Sequence, residues 1–191
     1  MITEFEEDLV QSLSTLRAGG IILYPTDTIW GLGCDATDEA AVKRIFDLKQ
    51  RSESKSLVIL VADVRDLVKY LSQPPPDIAD TIAAFDRPTT VIYEGALHLA
   101  PNVIAEDGTV AIRVVKEPFC RHLIKRFRKP IVSTSANISG APSPATFLDI
   151  TDEIKQGADY TVVHRQHEIA IRQPSRIVRI QPDGKLEILR N

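Results

Sequence analysis

The sequence is short of most features that mark a secreted, membrane-bound or metal-dependent protein. Its two cysteines, Cys34 and Cys120, cannot form a disulfide framework, and both are read as reduced thiols. No apolar run approaches the ~20 residues that span a bilayer. The N-terminus is acidic where a secretory leader would be basic and then apolar. The expectation is a cytoplasmic protein with neither a transmembrane helix nor a signal peptide. A Gly-x-x-x-x-Gly-Lys-Ser/Thr phosphate loop is missing, Gly31-Leu32-Gly33 lacks the third glycine of a dinucleotide fingerprint, and no Gly-x-Ser-x-Gly elbow presents a serine nucleophile. His164 and His167 follow a predicted strand and neither cysteine has a neighbouring partner, which argues against zinc. Internal repeats and low-complexity tracts are also lacking.

What is present is an ordinary globular balance, 43% apolar and 26% charged over 191 residues, which suits one domain over 1–191 with no additional C-terminal domain. The net charge of -3 hides an asymmetry. Residues 1–42 carry many carboxylates against Arg17 alone, whereas residues 113–129 carry Arg113, Lys116, Arg121, Lys125, Arg126, Arg128 and Lys129 against Glu117 alone. Most of that basic run reads as a solvated helix face, with RNA contact as the minority reading.

Phe5, Leu9, Leu13 and Leu16 recur at helical spacing before Gly19-Gly20, giving a helix over 4–18. Further helices are expected from Asp38 to near Lys49, from Asp63 to Leu71, from Asp77 to Phe85, from Pro118 to Phe127 and from Asp149 to Gln156. Strands are expected at Ile21–Tyr24, Leu57–Val61, Thr89–Tyr93, Val110–Val115, Ile131–Thr134, Tyr160–Val163, Arg176–Gln181 and Lys185–Leu189. Helices and strands mix without strict alternation, which predicts an α/β fold with a mixed, twisted sheet and helices packed on it.

Three polar segments follow or precede apolar strands. Tyr24-Pro25-Thr26-Asp27-Thr28 breaks a strand and leads into Gly31-Leu32-Gly33, whose glycines permit a close ligand approach or positive φ. Lys49-Gln50-Arg51 sits at a helix end, where a turn can bring an ammonium and a guanidinium fork to one anion. Ser133-Thr134-Ser135-Ala136-Asn137-Ile138-Ser139-Gly140 follows a short strand and offers hydroxyls and an amide. In open α/β sheets such segments converge at strand ends, where ligands bind. Arg113 lies mid-strand among apolar residues and needs an anionic partner or a ligand carboxylate.

In this order and spacing the three segments resemble the YrdC-like family of L-threonylcarbamoyladenylate synthases, a likeness that runs from about Gly19 to Arg179. The resemblance implies a YrdC-like fold and the synthesis of threonylcarbamoyl-AMP and pyrophosphate from L-threonine, bicarbonate or CO2, and ATP. It implies catalytic roles for Lys49 and Arg51. Thr28, Arg113, Ser135 and Ser175 would bind threonine, and Arg51, Lys55, Thr109, Asn137, Ala145 and Arg190 would bind ATP. Mg2+ would come with ATP, with no dedicated protein metal site. A separate tRNA threonylcarbamoyl transferase would take the product, and weak tRNA or double-stranded RNA contact would fall to Arg121, Lys125, Arg126, Arg128 and Lys129. The chain departs from the family pattern at Ser52, Lys55 and Leu60, and the spacing from Ser175 to Arg190 is one residue longer. Two other readings stay open: an RNA-binding module without catalysis, and a related enzyme that forms a carbamoyl-adenylate from another donor.

Overall fold

The computed structural model describes residues 4–52, 57–181 and 183–191. In chain order the elements are α1 (Glu6–Arg17), β1 (Ile22–Tyr24), β2 (Gly31–Gly33), α2 (Glu39–Leu48), β3 (Val58–Val61), α3 (Val64–Leu67), α4 (Ile78–Ala83), β4 (Thr89–Glu94), β5 (Thr109–Val114), α5 (Pro118–Phe127), β6 (Ile131–Ser135), α6 (Asp152–Gly157), β7 (Tyr160–Thr161), β8 (Arg176–Ile180) and β9 (Leu186–Arg190). Among the described residues nine strands make one sheet in the order β7-β1-β2-β6-β3-β5-β4-β8-β9. Three neighbouring pairs are parallel, β7 with β1, β3 with β5 and β4 with β8, and the others are antiparallel. This is the mixed α/β architecture that irregular alternation of helix and strand dictates.

Local chemistry accounts for the elements nearest the site. The Asp38 carboxylate accepts from the Ala40 and Ala41 amides at 3.0 and 3.2 Å and so starts α2. The buried stripe of Ala41, Val42, Ile45 and Phe46 then fixes which face of that helix turns inward. Pro118 opens α5 at a position where its missing amide costs nothing, and Glu117 caps the Cys120 amide at 2.7 Å. Strand β3 is apolar along its length because the sheet is covered on both sides there.

The structure departs from the sequence reading at several places. Gly31-Leu32-Gly33 is a buried strand, and neither glycine takes positive φ. The close approach at Gly33 is to the protein itself, since a Cβ there would lie 2.6 Å from the Tyr24 ring and 2.7 Å from the Val132 carbonyl oxygen. Helix α6 begins at Asp152, because Thr146 and Asp149 cap each other around a separate 3-10 turn over Phe147–Asp149. Strand β9 continues to Arg190, one residue beyond its expected end.

Gly33→Ala should lower stability by about 2–3 kcal/mol through overpacking against a ring and a backbone oxygen that cannot both retreat. Urea unfolding checks this: the midpoint should fall with the slope unchanged.

Candidate active site

Strand alternation separates the two faces of the sheet at β5. Ile112 and Val114 face α4, whereas Ala111 and Arg113 face a cavity of about 290 Å3 on the other side. The same cavity is lined by Arg51 from the end of α2, Thr28 and Trp30 from the β1–β2 connection, and Ser133 and Ser135 from β6. Ser143, Ser175 and Arg190 complete its polar wall. Arg51, Arg113 and Arg190 therefore converge with a set of hydroxyls, and no carboxylate lies on the wall among the described residues. Such a wall suits an anion or several anions together.

Each arginine reaches the cavity by a different device. Helix α2 ends in a Schellman turn: Gln50 adopts φ 49°, the Arg51 amide donates to the Phe46 carbonyl at 2.9 Å, and the Gln50 amide to the Asp47 carbonyl at 3.1 Å. The turn sends Lys49 and Arg51 to different places. Arg113 enters from mid-strand, where it is the register partner of the fully buried Leu60. Arg190 depends on a bulge. Ile177 pairs with Arg190 but Val178 pairs with Ile188, so Leu189 is the extra residue, and the alternation flips to bring Arg190 to the cavity.

Arg113 is 3% exposed, and its Nη2 lies 3.1 Å from Asp27 Oδ1. The pair compensates charge without hydrogen-bond geometry, for Arg113 Nε, Arg113 Nη2 and Asp27 Oδ1 have no hydrogen-bond partner. The anionic partner that a mid-strand arginine requires is thus supplied within the protein. Burial, and secondarily the Arg113 charge, pull the Arg190 guanidinium below its ordinary range. Its Nη2 and Nε donate to the Ser175 carbonyl at 2.7 and 3.1 Å. The Ser175 hydroxyl is 2.8 Å from that of Thr90, and the Thr28 hydroxyl is 3.0 Å from that of Thr26.

Lys49 and Asn137 are placed behind the wall. Lys49 is 1% exposed, and its ammonium donates to the Ser135 carbonyl, to the Asn137 carbonyl at 2.6 Å and to Asn137 Oδ1 at 3.4 Å. Burial first, and the Arg51 charge second, lower its pKa to about 8, so it remains cationic at neutral pH. The Asn137 amide nitrogen donates to the Ala141 and Ile138 carbonyls at 2.6 and 3.2 Å. Thr109 lies on the same face of β5 as Arg113 but off the cavity wall, with its hydroxyl donated to Asp107 at 2.6 Å. Ala145 is exposed and borders a neighbouring crevice beside Thr28 and Trp30. Lys55 lies outside the described residues.

Ser133, Ser143 and Trp30 were not singled out from the sequence as site residues, although all three fall in or beside the polar segments. Nothing local in the sequence marks Asp27 as the partner of Arg113. In the basic run, Arg126 pairs with Glu6 and Lys129 with Asp35, which neutralises part of the expected cationic surface. No group of three or more His, Cys, Asp or Glu residues that could hold a metal occurs among the described residues, and no helix among them is long and apolar enough to cross a membrane.

The Sua5/YciO/YrdC family model, described as "Telomere recombination", matches residues 14–191. A Stenotrophomonas maltophilia protein named threonylcarbamoyl-AMP synthase is 37% identical over 140 residues, 72% of this chain and 75% of that protein. A Vibrio vulnificus protein of the same name is 30% identical over 183 residues, 90% of this chain and 97% of that protein. The crystal structure of P. abyssi Sua5 complexed with L-threonine matches with a TM-score of 0.81 and 25% identity, over 96% of this chain and 54% of that one.

Asp27→Asn removes the carboxylate that faces Arg113. It should cost about 3–5 kcal/mol of stability, as expected when one partner of a buried ion pair is deleted. It should also raise the affinity for inorganic pyrophosphate several-fold. Urea unfolding and calorimetry would read these opposite shifts.

Proposed function

We propose that this chain, which belongs to the Sua5/YciO/YrdC family, is an enzyme that forms threonylcarbamoyl-AMP and pyrophosphate from L-threonine, bicarbonate or CO2, and ATP. The observation that carries this reading is the convergence of Arg51, Arg113 and Arg190 with the hydroxyls of Thr28, Ser135 and Ser175 on one cavity. Relatives named for that activity support it.

The reaction brings together a carboxylate, a carbamate and a triphosphate. The threonine amine takes up CO2 to give a carbamate, and a carbamate oxygen then attacks the α-phosphorus as pyrophosphate departs. Fixed positive charge and positioning meet this demand better than a strong base does. Arg113 would hold the threonine carboxylate, since a guanidinium fork grips a carboxylate through two parallel hydrogen bonds. Arg51 and Arg190 would hold phosphate oxygens, where their charge grows in value as the pyrophosphate leaves. Thr28, Ser135 and Ser175 would orient threonine. Mg2+ would arrive with ATP as part of the substrate, since the described residues of the wall include no carboxylate to keep a resident ion. The product would pass to a separate tRNA threonylcarbamoyl transferase.

Pyrophosphate release from ATP should require both threonine and bicarbonate. Release that ignores threonine would remove this reading and favour a different carbamate donor. Arg113→Lys keeps the charge but loses the fork, and should raise the threonine requirement by about 1–3 kcal/mol of apparent binding, with less effect on ATP. Titrating each substrate at saturating levels of the other separates that outcome from an equal loss on both.

A further inference from the structure

We propose that Lys49 is a positioning residue: it clamps the segment from Ser133 to Ser143 against the cavity from inside the protein and does not touch the ligand. The inference rests on reading the cavity as the active site. An ammonium has three N–H donors, and the Ser135 carbonyl, the Asn137 carbonyl and Asn137 Oδ1 supply an acceptor for each. None is left over for a phosphate. The main chain of the same residue grips the loop a second time, because the Lys49 carbonyl accepts from the Ser139 amide at 2.8 Å. Residue 49 therefore holds the loop on both sides of Ile138.

Asn137 completes the lock from within, with its amide nitrogen donated to Ala141 and Ile138. What this arrangement leaves lining the cavity are Ser133, Thr134, Ser135 and Ser143. An ammonium 1% exposed is held there by its acceptors, and swinging it out to a phosphate would strand buried carbonyl oxygens. The Schellman turn makes the division of labour possible, since it directs Arg51 to the ligand while Lys49 stays in the interior.

The test uses a variant that breaks the clamp without removing its charge. Ser139 and Gly140 are the central residues of a turn closed by the Ala141 amide on the Ile138 carbonyl at 3.0 Å, with Gly140 at φ 90°. The position of Ser139 in such a turn favours proline. Ser139→Pro thus keeps the turn and every cavity side chain used here, and deletes the amide that binds the Lys49 carbonyl together with the Ser139 hydroxyl, whose separate loss in Ser139→Ala serves as the control. Without ligand, Ser139→Pro and Lys49→Met should both speed hydrogen exchange of the Ala136 amide, which donates to the Trp30 carbonyl at 3.1 Å. With ligand, both should weaken ATP and AMP by a shared factor on the order of tenfold, the middle of the range for residues in one hydrogen-bond network. If Lys49→Met weakens ATP at least tenfold more than AMP while amide protection is unchanged, Lys49 contacts the phosphates and the clamp is overturned. Ser139→Pro with wild-type exchange and affinity would also overturn it. Should the wild-type chain bind neither nucleotide, the active-site reading fails, and amide exchange alone still decides the clamp.

Discussion

Crowding of like charge around a small, partly desolvated space is the constraint on which the rest of the structure depends. Three guanidiniums on the wall of a cavity of about 290 Å3 repel one another more strongly than they would in water. The fold must hold them there before any anion arrives. Asp27, which is not on the wall, sits against Arg113 at 3.1 Å, where it offsets charge without saturating the guanidinium with hydrogen bonds. Arg113 is thus tolerated inside the fold with hydrogen-bonding capacity left over, which suits it to a bound anion.

The scaffold meets that constraint with two irregularities near the ends of regular elements and one regular mid-strand position. A left-handed residue at the end of α2, a bulge in β9 and a residue in the middle of β5 each deliver one arginine to the same space. The sheet gives the rigidity that loops alone would lack. Hydroxyls from β6 and from the segment before β8 then fill the wall between the charges, with the Thr90 and Arg190 contacts fixing Ser175. Lys49 belongs to this supporting layer by burial and by hydrogen bonding, although in sequence it looks like a partner of Arg51.

The fold was legible in the sequence where burial and period agree. The stripe in α2, the proline-opened α5 and the apolar β3 all appear near their expected bounds. Strand β2 was not legible, because its glycines suggest a ligand loop. What requires Gly33 to be small is packing against Tyr24 and Val132, which no local pattern reveals, whereas Gly31 does line the cavity. For the site, the family resemblance pointed to Thr28, Arg51, Arg113, Ser135, Ser175 and Arg190, which line one cavity, and also to Lys49, Thr109, Asn137 and Ala145, which do not. The split between Lys49 and Arg51 was hidden, since it depends on one backbone angle at Gln50. The pairing of Asp27 with Arg113 was hidden for another reason: 86 residues separate them, and only the sheet order brings them together.

The most direct test is a crystal structure of the chain with L-threonine and a non-hydrolysable ATP analogue. The account predicts the threonine carboxylate on Arg113, the phosphates between Arg51 and Arg190, and Lys49 still bonded to the Ser135 and Asn137 carbonyls. Ligands bound away from this cavity, with the guanidiniums of Arg51, Arg113 and Arg190 untouched, would contradict it.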